Sequence, residues 1–146
     1  TMIMRHGERT HPAQEIVSVT ADQPRHRYRY ADCFARARRL ANALERLGAG
    51  PDARIGTLAW NDFRHLELYY AISCSGRVCH TINPRLFDEQ IEYIVNHADD
   101  EYIFTDLAFV PKLEQLAARC PRVRGYVVMT DEAHMPQTSL PNVLCY

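Results

Sequence analysis

Short β-branched apolar runs alternate with amphipathic helical stretches through most of this chain, and the alternation restricts it to an α/β architecture. After an opening hairpin the order reads helix, strand, helix, strand, helix, strand, helix, strand. Strands separated by single helices need crossover connections, and crossovers build parallel sheets. Tyr126, Val127, Val128 and Met129 form an almost unbroken apolar strand, as expected of a strand covered on both faces. The predicted fold is therefore α/β: an N-terminal β-hairpin, then alternating β/α units forming a mostly parallel sheet with helices on both faces.

The individual elements follow from local chemistry. Residues 1–14 are polar, with Gly7 and Pro12, and read as an irregular lead-in. Glu15 to Thr20 is β-branched and pairs in the prediction with His26 to Tyr30 across the turn Ala21-Asp22-Gln23-Pro24. The alternation of Arg25, Arg27 and Arg29 with Tyr28 and Tyr30 would also suit a nucleic-acid stacking patch, but period-2 alternation favours a half-exposed hairpin strand. Ala31 to Leu47 is the clearest helix, with Phe34, Ala37, Leu40, Ala41, Leu44 and Leu47 on one face. Gly48 stands where a left-handed cap is wanted, and Pro51 prevents continuation.

Arg54 to Ala59 reads as a strand that ends at Trp60. Asn61 is the expected N-cap of a helix from Asp62 to about Ser75. That helix is apolar nearly all round, so it is expected to be covered on more than one side. Val78 to Ile82 is a strand ended by Asn83-Pro84, and Asp88 is the expected cap of a helix with Ile91, Ile94, Val95 and Ala98 inward. Glu101 to Thr105 is a strand, Leu107 to Ala118 a helix, and Gly125 to Met129 the last strand. Residues 131–146 read as an irregular tail. The expectation is one incomplete domain over 1–146, with its α/β segment at 15–130. Thr1 before Met2, and a tail without a closing element, suit a fragment of a longer protein.

Net charge of -1 gives no electrostatic footprint for nucleic acid or for a membrane surface. No apolar run approaches a membrane span and no secretory signal opens the chain, so a cytoplasmic location is expected. Five cysteines, an odd number at irregular spacing, argue for reduced thiols. Cys74, Cys79 and His80 could be imagined as metal ligands, but no second pair stands at zinc-site spacing, and packing is the preferred reading. The chain has 16 arginines and a single lysine, Lys112, which sum to the 17 basic residues. Any lysine-dependent chemistry within it would have to use Lys112.

An open α/β sheet invites a nucleotide at the carboxyl ends of its strands, yet the usual phosphate-binding signatures are missing. No G-x-G-x-x-G follows a strand, and no Walker-type loop or nucleophile elbow occurs. Gly48-Ala49-Gly50 follows a helix and reads as a cap and turn. Asp99-Asp100-Glu101 could hold a divalent cation, but a surface loop is the preferred reading. His65, His80 and His97 have no sequence neighbour that would activate them as bases, and read as polar packing positions.

Two segments are far more specific. Trp60-Asn61-Asp62-Phe63-Arg64-His65-Leu66-Glu67-Leu68-Tyr69-Tyr70, followed by His80-Thr81-Ile82-Asn83-Pro84-Arg85-Leu86, resembles a signature of the adenylate-forming fatty acyl-CoA synthetases, in the branch using medium- and long-chain acids. Tyr30 with the helix to Gly48, Tyr93 to Asp99, and Val127 to Thr130 extend the resemblance over about 15–130. It implies a two-step reaction: a carboxylate attacks Mg-ATP to give an acyl-adenylate and pyrophosphate, and the thiol of CoA then displaces AMP. That chemistry needs a phosphate loop, Mg2+ and a lysine, which the family supplies downstream of this region. Lys112 is not at a matching position.

The resemblance places Asn83, Pro84 and Arg85 at the border of a CoA channel, with Arg85 able to meet a CoA phosphate. A strand-ending turn, with Arg85 solvated or paired to a carboxylate, remains the alternative. Trp60 and Asn61 would lie near the same channel, or serve as an aromatic plug and an N-cap. Arg29, where relatives often carry Thr, and Pro51-Asp52-Ala53, where they often carry Gly-Asp, depart from the pattern and bear on capping and packing.

The expected function is thus the N-terminal part of an ATP-dependent fatty acid–CoA ligase, inactive by itself. Its expected partners are the rest of the ligase chain, a fatty acid, and a second copy in a homodimer. The competing readings are a stand-alone interaction or dimerisation module, suggested by the apolar helix from Asp62 to Ser75, and a flavodoxin-like nucleotide binder.

Overall fold

The computed structural model describes residues 1–146. Where the sequence suggests one incomplete domain, the residues gather into two compact units: Thr1–Asp52 with Asn61–Arg77, and Ala53–Trp60 with Val78–Tyr146.

The first unit holds helix α1 (Met2–Thr10), the antiparallel strands β1 (Glu15–Ser18) and β2 (His26–Arg29), and helices α2 (Tyr30–Arg46) and α3 (Phe63–Ser73). The lead-in expected to be irregular is helical instead. Helix α1 turns Met4 and Gly7 inward, and a side chain at Gly7 would lie 3.1 Å from the Phe34 ring. Close packing on α2 therefore outweighs the poor helix propensity of Gly. The core of this unit joins Met4, Tyr28, Cys33, Phe34 and Phe63. Helix α2 has no side-chain oxygen at its cap position, Arg29; Asp32 compensates by accepting the Arg29 N–H at 3.1 Å. Gly48 adopts a φ of 77°, the left-handed turn expected after the helix.

Helix α3 begins one residue later than expected. Asp62, not Asn61, is the N-cap, and its Oδ1 accepts the His65 N–H at 2.9 Å. The helix is not uniformly apolar inside: Arg64, His65 and Glu67 are all buried. Each charge has a partner within the unit. Arg64 meets Asp22 through two bonds of 3.0 and 2.7 Å, and Glu67 accepts from Arg36 Nε at 2.7 Å. Burial alone would raise the Asp22 pKa, but hydrogen bonds from Arg64 and Thr20 outweigh it and hold the carboxyl below the usual range.

The second unit is a five-stranded sheet in the order β4-β3-β5-β6-β7. Its strands are β3 (Arg54–Leu58), β4 (Val78–Ile82), β5 (Tyr102–Thr105), β6 (Gly125–Val128) and β7 (Val143–Cys145). Every pairing is parallel, as the alternation requires, and helices flank the sheet. Helices α4 (Asp88–Ala98) and α5 (Val110–Leu116) cover one face through Ile91, Val95, Val110, Leu113 and Leu116, against Leu58, Ile103, Tyr126 and Val128. All four positions of β5 and of β6 are buried.

Two expectations fail here. The tail is not irregular: it forms a 3-10 turn at Glu132–His134 and then β7, so β6 is not the last strand. Asp88 is also not the cap of α4; Phe87 occupies that position and its N–H donates to Gln90 Oε1 at 3.1 Å.

Two stability predictions follow. Arg64→Ala leaves Asp22 buried and unpaired, and is expected to cost about 3 kcal/mol in urea unfolding. The stability from this pair should be full above about pH 4, the unfolded carboxyl value, and should fall as pH drops toward the depressed native value of Asp22. Gly56→Ala would place a carbon 3.1 Å from Asp100 Oδ2 and 3.2 Å from Ile82 Cδ1, both held in the core. It is expected to lower the melting temperature, at a cost of about 1–3 kcal/mol.

Candidate site at the strand ends

In the sheet, β3 lies between β4 and β5. The chain leaves β3 to one side for β4 and then returns across it to β5. Such a reversal opens a crevice at the carboxyl ends of the strands, where ligands bind in open α/β sheets. Trp60, Asn83-Pro84-Arg85 and Asp106 stand just beyond the carboxyl ends of β3, β4 and β5.

Their geometry is specific. Trp60 donates its backbone N–H to Asp106 Oδ2 at 2.6 Å. The Thr105 hydroxyl, just before it, donates to the Leu58 carbonyl at 3.1 Å and ties the ends of β5 and β3 together. The Phe109 ring packs on the Trp60 indole at 5.3 Å between centroids. Asn83 accepts the Arg85 N–H at 3.0 Å, making the tight turn that ends β4. That turn brings the exposed Arg85 guanidinium over the Trp60 ring, 5.5 Å from its centroid. Arg85 forms no ion pair, unlike Arg27, Arg36, Arg38, Arg64, Arg119, Arg122 and Arg124. Trp60 keeps 47% of its surface exposed, so the platform is open to a ligand. Asp106 and Phe109 were not singled out from the sequence; Asp106 follows a strand just as Trp60 does, and that position was the available signal.

The other candidates disperse. Lys112 is engaged by Asp88 at 2.8 Å and by the Leu86 carbonyl at 3.2 Å. Cys79 and His80 are successive residues of β4 and point to opposite faces, so they do not share a metal. Burial pushes the Cys79 thiol up to about 11. His65 stacks on Tyr69 and His97 on Tyr93. The Asp99-Asp100-Glu101 reading needs correction, because Asp100 is fully buried and not on a surface loop. Its Oδ2 lies 2.7 Å from His80 Nδ1. Burial raises the Asp100 pKa, and the His80 bond opposes that shift. Twenty residues separate the two, so no local pattern could reveal the pair.

A groove of about 400 Å3 in the first unit is lined by Asn42, Glu45, Gly48, Gly50 and Arg77 among others. Its main cation is already used: Arg77 donates to the Ala49 carbonyl at 2.9 and 2.6 Å and to Ser75 Oγ at 2.8 Å.

The family described as AMP-binding enzyme matches residues 4–143. A medium-chain-fatty-acid–CoA ligase of Ectopseudomonas oleovorans is 41% identical over 144 residues, 99% of this chain and 26% of the relative. A 3-methylmercaptopropionyl-CoA ligase of Ruegeria lacuscaerulensis is 48% identical over 127 residues, covering 87% of this chain and 24% of its own. The chain thus spans about a quarter of the length of the curated relatives it matches. Among solved structures, the inhibitor-bound N-terminal domain of FACL13 from Mycobacterium tuberculosis superposes with a TM-score of 0.78 at 22% identity, over 87% of this chain and 32% of that one, which shows the shared fold.

Asp106→Ala removes the acceptor of the Trp60 N–H. It is expected to cost about 1 kcal/mol and to shift the fluorescence of Trp60, the only tryptophan, to longer wavelength as the indole gains water.

Proposed function

The chain belongs to the AMP-binding enzyme family, and from that premise we propose that its residues are part of an ATP-dependent fatty acid–CoA ligase. The observation that carries this reading is the family match across residues 4–143, joined to relatives at 41% and 48% identity that are named as acyl-CoA ligases. In the proposed reaction a fatty acid and ATP give an acyl-adenylate, and the thiol of CoA forms the thioester.

The residues present fit only one component of that reaction. No ATP or Mg2+ contact is assigned to these residues: the Asp62 carboxylate already accepts the His65 N–H at the start of α3. Lys112 is held by Asp88, and no glycine-rich loop follows a strand. No step through ATP is therefore assigned to this chain. CoA does fit. Asn83-Pro84-Arg85 would border its channel, and the open guanidinium of Arg85 would take a phosphate. The remainder of the ligase chain would be the partner that supplies the phosphate loop, the metal and the lysine.

No helix is long and apolar enough to cross a membrane; a cytoplasmic site and a homodimer belong to the same proposal. The alternative, a stand-alone truncated ligase-like interaction or dimerisation module, rests on the same helix, where the charges are paired within their own unit but Tyr69 stays 40% exposed.

The test is fatty-acid-dependent ATP–pyrophosphate exchange. The longer polypeptide carrying these residues should show exchange and thioester formation, and the 146-residue chain should show neither. Exchange by the short chain, or none by the long one across short to long fatty acids, would overturn the proposal.

A further inference from the structure

The reading of Arg85 as a phosphate contact leaves its surroundings without a role. A solvent-exposed arginine with no ion pair would ordinarily sample many rotamers, at about 2 kcal/mol of side-chain entropy. Here the guanidinium lies over an indole whose own position is fixed twice, by the Asp106 bond to its backbone and by the Phe109 ring. A guanidinium held over a ring face by a cation–π contact is drawn to one region while its N–H edges stay free, and those edges form the fork that grips phosphate. The acidic side chains at the same strand ends do not neutralise it, since Asp88 pairs with Lys112 and Asp106 accepts from Trp60.

We infer that Trp60 and Asp106 are positioning residues, which hold Arg85 as a preset fork for a phosphate ester. The inference rests on the proposed function, and its ligand is a phosphate of CoA; ATP is the other source of the same group. Asp106 fixes the Trp60 backbone, the Trp60 ring holds the Arg85 guanidinium over its face, and Arg85 meets the phosphate.

Trp60 is the only tryptophan, so its emission reports this site alone. The purified chain is titrated with CoA, ATP and inorganic phosphate. CoA should give a saturable change. Arg85→Lys keeps the charge but gives up the fork, and should weaken CoA by about tenfold, the worth of one charge-assisted hydrogen bond. D106A should weaken CoA by about threefold to fivefold, and add nothing in the double variant with R85A, because it acts through Arg85. If D106A does not fold, W60F followed by calorimetry makes the same comparison.

If D106A and W60F weaken CoA equally with and without R85A, the positioning role is overturned while the CoA reading survives. If ATP or phosphate shows the coupling and CoA does not bind, the platform survives and the CoA reading falls. No emission change and no heat with all three probes overturns the platform, and thioester formation by the longer ligase then decides the proposed function separately.

Discussion

Parallel pairing of every strand in the five-stranded sheet is the constraint on which the site depends. Parallel strands all leave the sheet at the same end, so residues far apart in sequence are delivered to one place. Trp60, Arg85 and Asp106 meet for this reason. The placement of β3 between β4 and β5 makes them neighbours: Trp60 follows β3, and the other two follow the strands on either side of it. The Thr105 bond to Leu58 and the Asp106 bond to Trp60 then fix the strand ends against each other.

Charge is used differently in the two units. In the first, buried Arg64 and Glu67 are each matched by a partner, and the pairs fix α3 relative to the hairpin turn and to α2. Losing one member would strand a charge in low dielectric, so such pairs define geometry more than they add stability. At the strand ends of the second unit, Arg85 has no ion pair and faces solvent over an aromatic ring. A cation that the fold neither buries nor neutralises is suited to a ligand, and its ring support suits a planar fork more than a flexible ammonium.

Much of the fold was legible from hydrophobic periodicity. The parallel sheet, the hairpin, helix α2 and the Gly48 turn are all written in local pattern. What was not legible depends on tertiary contact. Helix α1 contains a glycine that packing against Phe34 demands but propensity argues against. Strand β7 is only three residues long and follows Asn142 at a φ of 49°, so its period is too short to read. The slip from Asn61 to Asp62 arises because both residues make good caps. For the site, Arg85 and Trp60 were visible through a family resemblance, whereas Asp106 was not, because its role is a bond to a residue 46 positions away. The burial of Asp100 beside His80 escaped for the same reason.

The most direct measurement is a crystal structure, with CoA bound, of the longer polypeptide proposed to carry these residues. The account predicts a CoA phosphate oxygen within hydrogen-bond distance of the Arg85 guanidinium, with the Trp60 ring still beneath it and Asp106 still on the Trp60 N–H. CoA bound away from the ends of β3 and β4, with Arg85 turned to a carboxylate of the chain, would contradict it.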